Sequence, residues 1–354
     1  MPSTVLPPFP DDVPAHSMIV VDFDRLAARD PDAIEQLIQA STTLGFWYLK
    51  NHGLQEVAED FFNLGEETFQ LPLEEKVKFE QGDNGNSFGY KIPGANAVNS
   101  SGERDNMEFI NVAKDDVLAW PRIARRTYPS TVETHMTSVL QPFVEKSLAV
   151  ASILLDVFNE YLSLPAGVLA SKHTREEFSG SEARCIKAAA SPDVLKVAIG
   201  AHSDFGTLTL LHNRLGGLQV MDPETNDWKY VKPLPGHIIC NLGDAMAIFS
   251  GGILKSSLHR VIPPPGAQRH LDRWSAGFFV RPGNSVLLAP LTEGQRVRAA
   301  IDDGASTKNM GNLATRANET ALEWFTRRIK NQRLKNRTGP ETWTASRGTE
   351  AFTE

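Results

Sequence analysis

Cysteine is nearly absent from this chain: Cys185 and Cys240 are the two among 354 residues. That excludes a framework of disulfides as the device holding the fold together, and two isolated thiols suit a reducing compartment. An excess of positive charge is also missing. Lys plus Arg number 36 against 43 Asp plus Glu, a formal net charge of −7, so the basic footprint of a nucleic-acid-binding surface is lacking. The N-terminal MPSTVLPPFPDDVPAHS has no basic stretch followed by an apolar run, so no secretory signal is expected. No unbroken apolar run approaches the roughly 20 residues of a membrane span. The expected compartment is the cytosol, with neither nucleic acid nor membrane as partner and the oligomeric state left open. No internal period marks a solenoid or propeller.

What is present is an ordinary globular composition, 41% apolar and 22% charged. The prolines of the N-terminus predict an extended arm lying over the body. Residues 19–23 (IVVDF) read as a short strand, Pro31 to Leu44 as an amphipathic helix, GFWYLKNHG as a strand ended by a turn, and Val57 to Phe69 as a second helix. Pro72 opens a third, short one. Residues 81–104, rich in Gly, Asn and Ser, read as a long loop. Met107 to Val112 returns to strand, and Thr131 to Leu164 is a long helical region. From about Arg184 short β-rich runs follow one another between Gly, Pro and Asn, a spacing that predicts a barrel or jelly roll. Residues 318–330 are helical again. The expected fold is mainly β with flanking helices around a double-stranded β-helix (jelly-roll) core. Its expected parts are 1–180 (N-terminal helices and strands), 181–290 (the β-core) and 291–354 (a C-terminal helical segment), in one compact unit.

The chemistry begins with histidine and aspartate. Two histidines and one carboxylate on one face hold iron(II) while leaving positions open for oxygen and an organic ligand. In a strand, residues i and i+2 point to one side, so a His-x-Asp pair supplies two of the three ligands. Two such pairs occur among nine histidines, His202-Ser203-Asp204 and His270-Leu271-Asp272. The first leads into the buried-looking strand FGTLTLL and has further histidines downstream. The second sits in the polar stretch AQRHLDR and has none. His259, in the apolar SSLHRVIPP, is the best third ligand, and the other six histidines read as surface or structural residues. Arg273 and Ser275 share a face of the apolar RWSAGFFV, where a guanidinium and a hydroxyl can grip a carboxylate.

At this point the chain resembles the plant and fungal 2-oxoglutarate/iron(II) dioxygenases, the group that includes isopenicillin N synthase. The resemblance runs from about Ile19 to Lys330 and rests on IVVDF, GFWYLKNHG, ETFQLPLEEK, GAHSDFGTLTLL, GGLQV, KPLPGHIICNLGDAMAIFSGG, KSSLHRV and RWSAGFFVRP in that order. It implies iron at His202, Asp204 and His259, with 2-oxoglutarate at Arg273 and Ser275. It also implies oxidation of a small-molecule substrate by O2: hydroxylation, desaturation or ring rearrangement. No side-chain acid or base is required. One departure concerns the strand before His202. The family often carries Asn-Tyr-Tyr-Pro there, with a tyrosine that helps hold the co-substrate. Here that strand runs from Arg184 to Ala189 without a tyrosine, and Lys187 or water is the expected replacement. Strand parity places Phe279 and Arg281 in the substrate pocket with Arg273, and the resemblance adds Phe109 and Asn111 on the opposite wall. The expectation is an apolar slot between Phe109 and Phe279, an anionic or phenolic substrate oxygen near Arg281, and a lid at Tyr90 and Lys91. Two alternatives stand beside this reading: an iron oxidase that uses no 2-oxoglutarate, and a non-catalytic binding jelly roll.

Overall fold

The computed structural model describes residues 6–191, 197–303 and 319–348. Among these residues twelve strands form two facing sheets. The larger has the order β1-β2-β10-β7-β12-β5-β4-β3 and the smaller β6-β11-β8-β9. β1 (Val20–Asp22), β2 (Phe46–Lys50), β3 (Gly89–Lys91) and β4 (Met107–Ala113) come from the N-terminal part. β5 (Glu182–Ala188), β7 (Leu208–Asn213), β10 (Ile238–Leu242) and β12 (Arg273–Val280) complete the large sheet. β6 (Ile199–His202), β8 (Leu218–Met221), β9 (Trp228–Tyr230) and β11 (His259–Val261) make the small one. Residues 1–180 and 181–290 therefore share a single sheet, since β2 pairs with β10 and β4 with β5.

Period-2 alternation gives the large sheet two faces. On β7, Leu208 and Leu210 belong to the larger apolar core, while Thr209 and Leu211 face the cavity between the sheets. The larger core is closed by helices, chiefly Gln55–Gln70 and Gln141–Tyr161. Phe143, Leu154 and Phe158 of the latter are fully buried, each worth about 1.5–3 kcal/mol relative to exposure. Together with the turn before it, this stretch (Met136–Tyr161) is long and apolar enough to cross a membrane, which qualifies the reading that no such stretch exists; its apolar face is spent on the sheet.

Helix starts follow from their caps. Asp30 accepts from the Ala33 amide at 3.1 Å ahead of Pro31, and Thr320 and Glu323 form a reciprocal capping box for the helix Ala321–Gln332. The expected start of that helix at Asn318 lies outside the described residues. The N-terminal arm crosses the body as expected: Pro7 carbonyl accepts from Gln268 at 2.8 Å, and Ala15 bridges to Tyr230. One correction concerns the expected loop 81–104, which contains β3. Tyr90 and Lys91 are strand residues there, 1% and 0% exposed. Tyr90 hydroxyl donates to Glu108 at 2.7 Å, and Lys91 is ion-paired with Asp105, so these two residues are fastened into the wall and do not act as a lid.

Candidate active site

The cavity between the sheets, about 140 Å³, is lined by side chains from both. Its floor is made where β6 ends. His202 is the last residue of β6 and His259 the first of β11, and the two stand directly opposite in antiparallel register. Their rings lie 4.3 Å apart centre to centre. Asp204 follows past the end of the strand, its Oδ1 at 3.9 Å from His202 Nε2 and 3.8 Å from His259 Nε2. All three candidate ligand atoms fall within 4.8 Å of one another.

The surroundings fix which atoms point inward. His202 Nδ1 donates to the Gly200 carbonyl at 2.8 Å, and His259 Nδ1 to the Ser257 carbonyl at 3.0 Å. Each Nε2 therefore keeps its lone pair for a metal, the usual outer support of a ligating histidine. Asp204 Oδ2 accepts from Thr209 Oγ1 at 2.7 Å and from Asn241 Nδ2 at 2.8 Å, which leaves Oδ1 to the histidines. Burial works to raise the Asp204 pKa, but the neighbouring His259 and His202 and those two hydrogen bonds outweigh it and bring the pKa down to about 2. Burial, reinforced by His259, holds His202 neutral, at about 3. An ionised Asp204 beside a neutral His202 is the protonation state a divalent metal needs. The donor set fits iron(II), two imidazoles and one carboxylate gathered at one end of an open cavity.

Further along the cavity Arg273 is 4% exposed. Its Nε donates to the Gly216 carbonyl and its Nη1 to Ser275 Oγ, both at 2.7 Å. Among the described residues it has no acidic partner, and burial alone lowers its pKa to about 10. A buried guanidinium without a counter-ion is costly, and the cavity is where an anion can reach it. Ile186 stands opposite Ser275 in the ladder, so β5 offers no hydroxyl at that point.

The inward face of β5 carries Arg184 and Ile186. Lys187 pairs with Trp274 on the far face, over the indole at 5.7 Å, and bonds to Asp272 at 3.2 Å. Its expected role in place of the tyrosine is therefore corrected: strand parity carries it away from the cavity. Asn111 is corrected too. It is fully buried, but its amide donates to Ser87 and accepts from Arg184 Nε at 2.8 Å, outside the cavity lining. Phe109, Phe279 and Arg281 do line the cavity. The slot between the two rings is not purely apolar, however. The Arg184 guanidinium lies 4.5 Å from Phe109 and 4.7 Å from Phe279. Glu182, fully buried, bonds to both Arg184 (2.5 Å) and Arg281 (3.0 Å). One carboxylate against two guanidiniums leaves this wall positive. Arg184, Thr209 and Asn241 are site residues that sequence reading does not single out, because alternation groups them by face without telling which face meets the cavity.

Comparison with known proteins agrees with this geometry. Residues 179–282 match the 2OG-Fe(II) oxygenase superfamily, and 19–131 match the N-terminal region of the non-haem dioxygenases, described as acting in morphine synthesis. Feruloyl CoA ortho-hydroxylase 1 of Arabidopsis thaliana is 32% identical over 79% of this chain and 73% of its own length. A 2-oxoglutarate-dependent dioxygenase of Gibberella zeae is 28% identical over 78% of this chain and 82% of its own. Among solved structures, a full-length Neurospora crassa protein in complex with alpha-KG superimposes with a TM-score of 0.71 at 22% identity, over 88% of this chain and 95% of that one. JOX2 with 2OG, Fe and JA gives 0.68 at 22% identity, over 98% and 96%. These two likenesses establish the jelly-roll fold, and the family matches establish the chemistry. The chain belongs to the 2-oxoglutarate- and iron(II)-dependent oxygenases.

Proposed function

We propose that His202 Nε2, Asp204 Oδ1 and His259 Nε2 hold the iron of this dioxygenase, that Arg273 and Ser275 hold the far carboxylate of 2-oxoglutarate, and that the substrate is a small, partly apolar secondary metabolite. The observation that carries this reading is a buried guanidinium, Arg273, without an acidic partner among the described residues, in the same cavity as the His-Asp-His cluster. When bound, iron with 2-oxoglutarate supplies the oxidising chemistry: the co-substrate is decarboxylated to succinate as O2 oxidises the substrate. The protein's own contribution is positional. Gly200 and Ser257 carbonyls orient the imidazoles, Thr209 and Asn241 hold the carboxylate, and the Gly216 carbonyl with Ser275 aims Arg273 along the cavity.

The substrate would lie against Phe279 and Phe109, with an anionic or phenolic oxygen toward Arg281 and Arg184. The surplus positive charge of the Glu182 cluster supports that polarity, and apolar rings beside a few polar groups are the common make-up of a small-molecule site. Thymine, named with one of the Neurospora crassa structures, supports the size class. The cytosol is the proposed location, and the two buried, unpaired cysteines support it. The test is oxygen uptake by the purified protein with iron(II), with and without 2-oxoglutarate, across matched neutral, phenolic and carboxylate compounds. Uptake with succinate release in step with product is expected for the phenolic or anionic set. Preference for the neutral set would overturn the substrate polarity, and full turnover without 2-oxoglutarate would overturn the role given to Arg273.

A further inference from the structure

Asp204 lies beyond the last ladder pair of β6, so strand pairing alone does not hold it. Two kinds of support replace the ladder. The first is local: the amides of Asp244 and Ala245 donate to the carbonyls of Asp204 (2.8 Å) and Gly206 (3.0 Å). The second comes from the far end of the chain. Arg347 Nη1 donates to the Ala201 carbonyl at 2.6 Å, and Arg328 Nη2 to the Ser203 carbonyl at 3.1 Å. Those are the carbonyls on either side of His202. Arg328 is also ion-paired with Asp244, and both side chains are fully buried. Asp244 accepts in turn from Ser203 Oγ at 3.1 Å and from Ser256 Oγ at 2.9 Å. Ser256 adjoins Ser257, whose carbonyl orients His259. One buried ion pair thus touches both chain segments that carry the triad. Arg328 Nε also donates to the Ser346 carbonyl at 3.1 Å, which ties in the helix Pro340–Ser346, and Trp343, Ser346 and Arg347 form part of the cavity lining. A Cβ at Gly348 would fall 1.9 Å from Asp244 Oδ2, so the chain past that helix is seated directly on the pair.

We infer that Arg328 and Arg347 are positioning residues of the iron centre, so that the C-terminal segment is needed for full metal affinity as well as for covering the cavity. The inference rests on the assignment of His202 and Asp204 as ligands. A guanidinium bonded to a peptide carbonyl restricts the rotation of that peptide, and here the restricted peptides are Ala201–His202 and Ser203–Asp204, one leading into each ligand. Loosening them spreads the distances among the three donor atoms and weakens binding of any divalent ion. Outer-shell partners of metal ligands typically contribute ten- to a hundred-fold in affinity.

The test titrates the full-length apo-protein with cobalt(II), followed by its visible absorption, and with iron(II) under anaerobic conditions, without turnover. Arg347→Met and Arg328→Met are expected to raise the metal Kd by about ten- to a hundred-fold, and Arg347→Lys, which keeps a donor, to recover part of the loss. Arg327→Met is the comparison. Arg327 holds the same segment through the Ala345 carbonyl and Glu319 but does not bond to residues 201–204, so its loss is expected to leave metal affinity unchanged. Parent-like cobalt affinity in Arg347→Met would overturn the inference, as would an equal loss in Arg327→Met. If Arg328→Met does not fold, because the buried Asp244 loses its ion pair with Arg328, Arg347→Met alone decides. His202→Ala separates the two levels: if it keeps full metal affinity, the ligand assignment fails; if it loses the metal while Arg347→Met does not, only the present inference fails.

Discussion

Two pairs of facing histidines lie on opposite sides of the large sheet, the first carried by the small sheet across the cavity. His202 and His259 look into the cavity with ring centres 4.3 Å apart; His52 and His212 pack on the helical side at 5.8 Å, beside Phe143. Both pairs are sheltered from water. Among the described residues, only the first has a carboxylate within reach, Nδ1 atoms turned away to backbone carbonyls, and space in front of it. In the second, His52 Nδ1 accepts from the Leu54 amide and His212 Nε2 has no partner among the described residues. Proximity of imidazoles therefore does not make a metal site; a supplied negative charge, a fixed tautomer and an open side do. The same lesson separates the two His-x-Asp motifs. His270 is exposed at the end of a short helical turn, and Asp272 is engaged by Lys187 and the Ala190 amide.

The contrast is broken most severely by removing a ligand. His202→Ala, Asp204→Ala and His259→Ala are each expected to abolish iron-dependent turnover and cobalt binding, whereas His270→Ala should keep both. Iron binding lost in His270→Ala and kept in His202→Ala would reverse the choice between the motifs. The next largest effect is at the co-substrate. Arg273→Ala removes a charge-assisted contact worth about 1.5–3 kcal/mol, so the 2-oxoglutarate KM is expected to rise at least about tenfold with iron affinity kept. Succinate assays at varied 2-oxoglutarate check this. Smaller again, Arg281→Ala and Phe279→Ala are expected to raise the substrate KM, checked by steady-state kinetics at saturating 2-oxoglutarate. Unchanged KM in both would misplace the pocket.

The smallest effect sharpens the histidine comparison through pH. Burial first, then the neighbouring His237, lowers the His52 pKa to about 4; burial and His52 lower that of His212 to about 3. Unfolded histidines titrate near 6.5. Below that value the unfolded chain takes up protons that the folded chain refuses, so stability falls as pH drops from about 6.5 toward 4. Each group contributes a slope of up to about 1.4 kcal/mol per pH unit within that window. Thermal melts of the apo-protein at pH 7 and pH 5 should show the loss, and His212→Leu should reduce it. Equal pH dependence in parent and variant would remove this pair from the account.

Local pattern made much of this legible. The helices at 31–43 and 55–70 and most strands follow from apolar periodicity, and the triad followed from one short motif plus strand context. Register between strands did not follow. Alternation tells that Arg184 and Ile186 share a face opposite to Lys187; it takes the ladder, where Ser275 meets Ile186 and Trp274 meets Lys187, to tell which face is the cavity. The sequence therefore does not distinguish Lys187, on the far face, from Arg184, on the cavity face. β3 was hidden because Gly89-Tyr90-Lys91 is short and set among Gly and Asn, and its strand character comes from pairing with β4. The C-terminal residues 340–348 carry no periodicity long enough to read. Their place is set by single contacts of Arg327, Arg328 and Arg347.

The strand order of the large sheet also bears on how the molecule comes into being. β12 lies between β7 and β5, and β2 is fastened to β10, so neighbours in space are far apart in the chain. Such non-local pairing makes folding slow and leaves unpaired edges exposed in the meantime. During synthesis the two halves of the large sheet cannot join until residues 273–280 have been made, and on the inference above the metal centre waits for Arg328 and Arg347 after them. Iron capture is thus expected as a late event, after residue 347 has been made. Stalled nascent chains ending near residue 300 should therefore bind cobalt far more weakly than the released protein.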